Sequence, residues 1–193
     1  MMASHFYRLM RPEPPWGDYG DILFHGMASR SKGGELELER TGPFVPPISQ
    51  PDSFVVVTAD FLRRLRESGL KGFEVGPVKK KRIPMIDWRE WEPFGPKEMK
   101  YPAGNEPENY ILRRKHSPEA ADALGELCEL RFQQGIQISR DGVYHLVLSS
   151  WDGSDFVVVK GEHPIYNYVS EKAREWLTQE AAEWVAFEVE RVE

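Results

Sequence analysis

The sequence has one cysteine, Cys128, among 193 residues. That excludes an intrachain disulfide and any multi-cysteine zinc site, and a lone free thiol suits a reducing cytoplasm. Long apolar runs are missing: none approaches the roughly 20 residues that cross a bilayer. Met1 to Arg11 holds no apolar leader core. Positive charge is not in excess either. There are 25 Lys and Arg against 31 Asp and Glu, a formal charge of -6. This disfavours general binding to nucleic acid or anionic membrane. The five histidines, His5, His25, His116, His145 and His163, include no pair at i, i+4 spacing and no His-Glu-x-x-His. Gly-Lys-Ser/Thr, Gly-x-Gly-x-x-Gly and Gly-x-Ser-x-Gly are absent as well. No cofactor and no metal is therefore expected.

What is present points to a folded domain. Six Trp, ten Phe and seven Tyr supply a core, and the length fits one domain, or at most two small ones, with a single domain over 1–193 as the expectation. The charge is unevenly placed. Residues 1–140 carry 20 acids and 21 bases, while residues 141–193 carry 11 acids and four bases. An acidic segment of this kind either solubilises the chain or docks a basic partner.

Residues 1–52 are rich in proline, which breaks long helices. Two short strands are expected there, His5 to Leu9 and Glu35 to Arg40. From Ser53 the pattern sharpens. Phe54-Val55-Val56-Val57 reads as a strand, Thr58 as an N-cap, and Phe61, Leu62 and Leu65 as a helical stripe. Gly69 closes the helix, and Phe73-Glu74-Val75 opens a strand ended by Gly76-Pro77. The same order recurs at 165–192. There Ile165 to Val169 is the strand and Ser170 the cap, and Ala173, Trp176, Leu177, Ala181 and Trp184 form the stripe. Phe187-Glu188-Val189 then repeats Phe73-Glu74-Val75. Residues 53–78 and 165–192 are thus candidate copies of one strand–helix–strand unit.

Between them, Ile83 to Trp91 and Tyr110-Ile111-Leu112 read as strands. Ser117-Pro118 starts a helix bearing Ala120, Ala121, Leu124, Leu127 and Cys128. Val143 to Ser150 and Phe156 to Lys160 read as a hairpin around Trp151-Asp152-Gly153-Ser154-Asp155. The expected class is α+β, with a mixed or mostly antiparallel sheet and about three helices.

Cys128 on an apolar stripe reads as structural rather than nucleophilic. His145 reads as a sheet residue and His116 as a loop residue. Asp152 and Asp155 suit a turn better than a calcium loop, which is more densely acidic. Glu106-Pro107-Glu108 reads as a solvated carboxylate pair in a Pro-rich loop. The basic run Lys79-Lys80-Lys81-Arg82 reads as a solvated strand edge, with phosphate contact as the alternative. Asp87-Trp88-Arg89-Glu90-Trp91-Glu92 combines anchor-type aromatics with acids, the composition of an interface hot spot. Burial of one or both tryptophans in the core remains the alternative there.

The segment Phe54 to Thr58, Leu65, and Ser68-Gly69-Leu70-Lys71-Gly72-Phe73-Glu74-Val75-Gly76-Pro77-Val78 resembles immunity proteins of bacterial polymorphic toxin systems, including those common in myxobacteria and other proteobacteria. The likeness covers residues 54–78, and loosely Val169 to Lys172. One branch of such proteins carries paired Cys-x-x-Cys-Gly motifs, which this chain lacks. The resemblance implies a cytoplasmic, non-catalytic protein that binds one cognate toxin and covers its active site. Many such toxins are nucleases, whose basic clefts an acidic surface would match.

On this reading the partner-binding candidates are Asp87, Trp88, Glu90, Trp91 and Glu92, together with Trp151, Asp152 and Asp155. The partner is a cognate protein toxin, with no direct nucleic acid and no membrane, and a homo-oligomer is left open. The alternative is a small enzyme or ligand-binding domain with a loop-built site around His25, His116, Glu106 and Asp152. A scaffold subunit, with a stable homo-oligomer and a large apolar patch, is the third class.

Overall fold

The computed structural model describes residues 5–14, 17–86, 106–139, 145–160 and 166–192. It has the α+β class expected. The strands are β1 (Phe6–Met10), β2 (Met27–Arg30), β3 (Leu36–Glu39), β4 (Ile48–Ser49), β5 (Val55–Thr58), β6 (Phe73–Arg82), β7 (Leu127–Ser139), β8 (His145–Val147), β9 (Phe156–Val159), β10 (Tyr168–Ser170) and β11 (Ala186–Glu190). The described helices are five rather than about three: α1 (Asp18–Phe24), α2 (Ala59–Glu67), α3 (Asn109–Leu112), α4 (Pro118–Ala123) and α5 (Glu171–Ala181). No described helix is long and apolar enough to cross a membrane. The chain divides into two compact units, neither continuous in sequence. Unit 1 is Met1–Pro12, Leu62–Val75 and Leu130–Glu193, and unit 2 is Glu13–Phe61 and Gly76–Glu129.

In unit 1 the strand order is β11-β1-β10-β9-β7. Neighbours are antiparallel except β7 and β9, which are parallel. β8 pairs antiparallel with the end of β7. The chain after β11 then meets β8: Leu146 N–H donates to Arg191 O at 2.9 Å, and Leu146 and Val192 form a parallel bridge. Six strands therefore curl around Phe6, Ile136, Leu146, Val157, Val159 and Tyr168. The second candidate copy lies here. β10 and β11 both pair antiparallel with β1, and α5 links them. The Ser170 hydroxyl caps α5 by accepting from Ala173 N–H at 3.2 Å. Ala173, Leu177 and Ala181 of the stripe are buried, while Trp176 and Trp184 are half-buried.

In unit 2, β2 and β3 are antiparallel, β3 and β6 parallel, and β4 and β5 antiparallel. Leu36, Leu38, Val56, Ile83, Ala120, Ala121, Leu124 and Leu127 form the core. The first copy is split by the division: β5 and the first turn of α2, where Thr58 Oγ1 accepts from Phe61 N–H at 3.3 Å, belong to unit 2, while Leu62–Val75 belongs to unit 1. α1, which the proline-rich composition hid, ends against Arg40. This side chain is fully buried, and its guanidinium donates to the carbonyls of Leu23, Phe44 and Thr41. It therefore supplies the cation that the last turn of α1 lacks. Burial pushes the Arg40 pKa down to about 9.

Several expected elements are corrected. Tyr110-Ile111-Leu112 is helical: Leu112 N–H donates to Glu108 O at 2.9 Å, and Arg113 Nε to Asn109 Oδ1 at 3.0 Å. Local bonding overrides the strand preference of this apolar triplet. α4 starts as expected, with Ser117 Oγ accepting from Ala120 N–H at 3.2 Å, but it ends at Ala123. Gly125, at φ +67, closes it, and Leu127 and Cys128 open β7. Cys128 is thus a buried strand residue. Gly76-Pro77 does not end β6, which runs on to Arg82. Ile83 to Ile86 lie beyond it, with only an isolated bridge at Met85. Of the strand expected over Val143 to Ser150, the described residues His145–Val147 are extended, and Leu148–Ser150 form a 3-10 turn instead. β8 and β9 are not a hairpin, because each pairs with β7 instead.

Candidate functional site

The described half of the expected contact surface is the turn Trp151 to Asp155, in unit 1. Trp151 stands edge-on to Phe6 at 5.2 Å, packs on the core of that unit, and donates through Nε1 to Ser154 O at 2.8 Å. Asp152 is exposed, and its Oδ1 accepts from Ser154 N–H at 2.9 Å, a side-chain turn. Gly153 completes the turn at φ +88.

Asp155 is buried, and both carboxylate oxygens are occupied. Oδ2 accepts from Lys71 N–H at 2.9 Å and Oδ1 from the Ser170 hydroxyl at 2.8 Å. Its backbone N–H and C=O bond Lys71 O at 2.8 Å and Ser170 N–H at 2.9 Å. Asp155 therefore ties together the loop after α2, β9 and the cap of α5. It is a structural latch and offers no charge to a partner. Of this cluster only Asp152 presents a carboxylate at the surface. Asp87, Trp88, Glu90, Trp91 and Glu92 lie outside the described residues.

The basic run is engaged internally. Lys79 Nζ pairs with Glu37 at 2.9 Å and Lys81 Nζ with Glu37 at 3.2 Å. The Lys79 and Lys81 ammonium groups hold the Glu37 carboxyl below its ordinary range. Lys80 Nζ donates to Ala121 O at 2.5 Å and Gly125 O at 2.8 Å, at the C-terminal end of α4. Arg82 donates to Leu112 O at the end of α3. Arg82 Nε also pairs with Glu39 at 3.4 Å, so Lys79, Lys81 and Arg82 meet acids on β3, while Lys80 and Arg82 donate to helix-end carbonyls.

Two candidate histidines are similarly bound. His25 Nδ1 accepts from Gln50 N–H at 3.1 Å, and His116 Nδ1 accepts from Ile83 N–H at 3.0 Å. In each ring the nitrogen that could act as a base already holds a backbone proton donor. Glu106 and Glu108 are exposed at the start of α3. Among the described residues no group of three or more His, Cys, Asp or Glu could hold a metal ion.

The fold redistributes the charge. The acidic tail folds with the basic start of the chain and with α2. Glu188 pairs with Arg8, and Glu180 with Arg64. Unit 1 consequently holds 13 acids against 12 bases, and unit 2 holds 18 against 13. The surplus expected in the last quarter of the chain belongs to unit 2. Glu119, Asp122 and Glu126 are exposed on and just after α4, and the residues between them carry no base. Sequence reasoning missed this face, although the apolar stripe of α4 already turns those three residues outward.

In unit 1, Tyr7 OH donates to Glu171 Oε2 at 2.5 Å, and Arg174 Nε donates to Oε1 at 2.9 Å. The Tyr7 hydroxyl first, and Arg174 second, hold the Glu171 carboxyl below its ordinary value. A depressed folded-state pKa stabilises above the unfolded value, and the effect is lost as pH falls through the folded one. Tyr7→Phe is therefore expected to raise the Glu171 pKa, read by side-chain NMR titration. Because the pair is partly exposed, the loss in urea stability should stay under about 1 kcal/mol at pH 7. It should vanish at acid pH, and an equal loss at both pH values would assign it to ring packing instead.

No family model, no curated protein and no solved structure matches this chain.

Proposed function

We propose that the chain is a cytoplasmic immunity protein that binds a cognate toxin and covers its active site with an acidic surface. The observation that carries this reading is the acid surplus of unit 2, with Glu106, Glu108, Glu119, Asp122 and Glu126 all exposed. Such a surface attracts a basic cleft and speeds encounter, as a nuclease inhibitor requires. Asp87, Glu90 and Glu92 belong to the same unit by sequence and add to its charge. The likeness of residues 54–78 to immunity proteins supports the same class. A loop-built enzyme is the weaker reading, because His25 and His116 each bond a backbone amide and Asp155 is buried.

The test is co-expression with the toxin encoded beside this chain. Protected growth is expected, and killing regardless of this chain would sink the proposal. The triple variant Glu119→Lys, Asp122→Lys, Glu126→Lys should slow association with that toxin by roughly tenfold at low salt, with a smaller change in dissociation. An unchanged association rate would remove α4 from the contact.

A further inference from the structure

Unit 2 encloses an arginine that meets no acid among the described residues. Arg40 is fully buried. Its Nε donates to Thr41 O at 3.3 Å, and its Nη2 donates to Leu23 O at 3.1 Å and to Phe44 O at 3.2 Å. Nη1 is buried too and has no hydrogen-bond partner. Burial is the one influence that moves the Arg40 pKa, and it moves it down, so no neighbouring carboxylate offsets the desolvation of the guanidinium. The same unit handles Arg30 differently. Arg30 Nη1 donates to Glu129 Oε2 at 2.9 Å, and Glu129 is itself buried.

The carbonyl oxygens around Arg40 do not settle its charge. They accept hydrogen bonds but carry no net charge, and a helix end contributes about half an elementary charge at most. A buried ion needs a counter-charge as well as hydrogen bonds. Nor is the head free to withdraw to solvent. The Arg40 backbone N–H donates to Arg82 O at 3.0 Å, which holds the residue beside β6. An ideal Cβ on Gly26 would lie 2.6 Å from Arg40 Cβ, so the backbone after α1 already presses on the stem.

A charged, orphaned donor held this firmly points to a bound group. Its surroundings select the chemistry. One guanidinium calls for one negative charge. Sulfate or a phosphate dianion would leave a buried excess of the opposite sign. Full burial disfavours a ligand with an organic body. Water would satisfy Nη1 but leave the charge standing. A small monovalent inorganic anion that sheds its hydration readily, a halide of chloride size, meets all of these conditions.

We propose that Arg40 forms an internal anion site in unit 2, with Nη1 donating to a chloride or similar halide. Bound there, the ion offsets the charge that joins the end of α1 to the Thr41–Phe44 segment, and so stabilises the unit. The inference is independent of the immunity reading, which concerns the exposed acids of the same unit.

The test uses the full chain, unfolded in urea and refolded in sodium gluconate to strip halide. Sodium chloride then replaces gluconate, from about 1 to about 100 mM, at constant ionic strength, so that screening does not change. Above the dissociation constant, the unfolding equilibrium constant from urea titration should fall about tenfold for each tenfold rise in chloride. Arg40→Met removes the charge and keeps an unbranched apolar stem, and its stability should not respond to chloride. Should that variant fail to fold, the parent chain decides alone: crystals grown in sodium bromide should show an anomalous scattering peak in hydrogen-bond contact with Arg40 Nη1. Three results would overturn the proposal: a parent chain indifferent to chloride, an equal response in Arg40→Met, or water in place of bromide at Nη1.

Discussion

Asp155→Ala is expected to lower the unfolding free energy by about 3 kcal/mol, among the largest losses available to a single polar substitution here. Asp155 is 8% exposed, and its carboxylate accepts from both Lys71 N–H and the Ser170 hydroxyl. Its removal leaves the part-buried Lys71 N–H and the buried Ser170 hydroxyl without their acceptor. Each unsatisfied donor costs about 1–3 kcal/mol. It also frees the Ser170 side chain that caps α5. Asp155→Asn keeps one acceptor oxygen and should lose about half as much. Ser170→Ala tests the cap side of the same network, and the pair should be strongly non-additive in a double-mutant cycle. Urea titration with a common slope measures all three. A loss below about 1 kcal/mol for Asp155→Ala would return this carboxylate to the list of exchangeable surface acids.

Why the sequence did not reveal that role is instructive. Asp155 follows a Trp-Asp-Gly-Ser turn, and a turn aspartate is ordinarily solvated. Its burial depends on Lys71, 84 residues away, and on Ser170. No local pattern records such a pairing. What was legible was local. Thr58, Ser117 and Ser170 announce helix starts because their oxygens meet amides three residues on. Leu36 and Leu38 announce a strand because period-2 alternation survives any tertiary context.

The failures share a cause. β6 continues through Gly76-Pro77, and Leu127 and Cys128 belong to β7, because pairing with other strands outweighs local preference. The charge tally failed for the same reason. A linear window assigns the surplus acid to residues 141–193, yet Arg8 and Arg64 come from far upstream to meet Glu188 and Glu180. Only the fold shows that the unbalanced acids are those of unit 2.

Gly72→Ala is expected to be at least as damaging, at about 4 kcal/mol, and for a steric rather than a polar reason. Gly72 sits at φ +101, a conformation that side-chain-bearing residues rarely adopt and that costs about 1–3 kcal/mol to impose. A Cβ there would lie 2.4 Å from the carbonyl oxygen of Phe156 and 2.6 Å from the Ser154 Cβ. Neither neighbour can retreat. Phe156 N–H donates to Lys71 O at 3.0 Å, and Gly72 itself accepts from Gln133 N–H at 2.8 Å. The Phe156 ring is wedged edge-on between Phe73 at 5.6 Å and Phe132 at 5.1 Å. Relief of the clash would have to move β9 against β7, at a further overpacking cost of about 1–3 kcal/mol. Gly69, at φ +75 with nothing within 4 Å of its ideal Cβ, is the matched control. Gly69→Ala carries the backbone strain alone, so it should lose about 1–2 kcal/mol. The difference between the two variants isolates the steric contribution. Equal midpoints in thermal unfolding would mean that the close approach of Gly72 to β9 contributes nothing to the stability of unit 1.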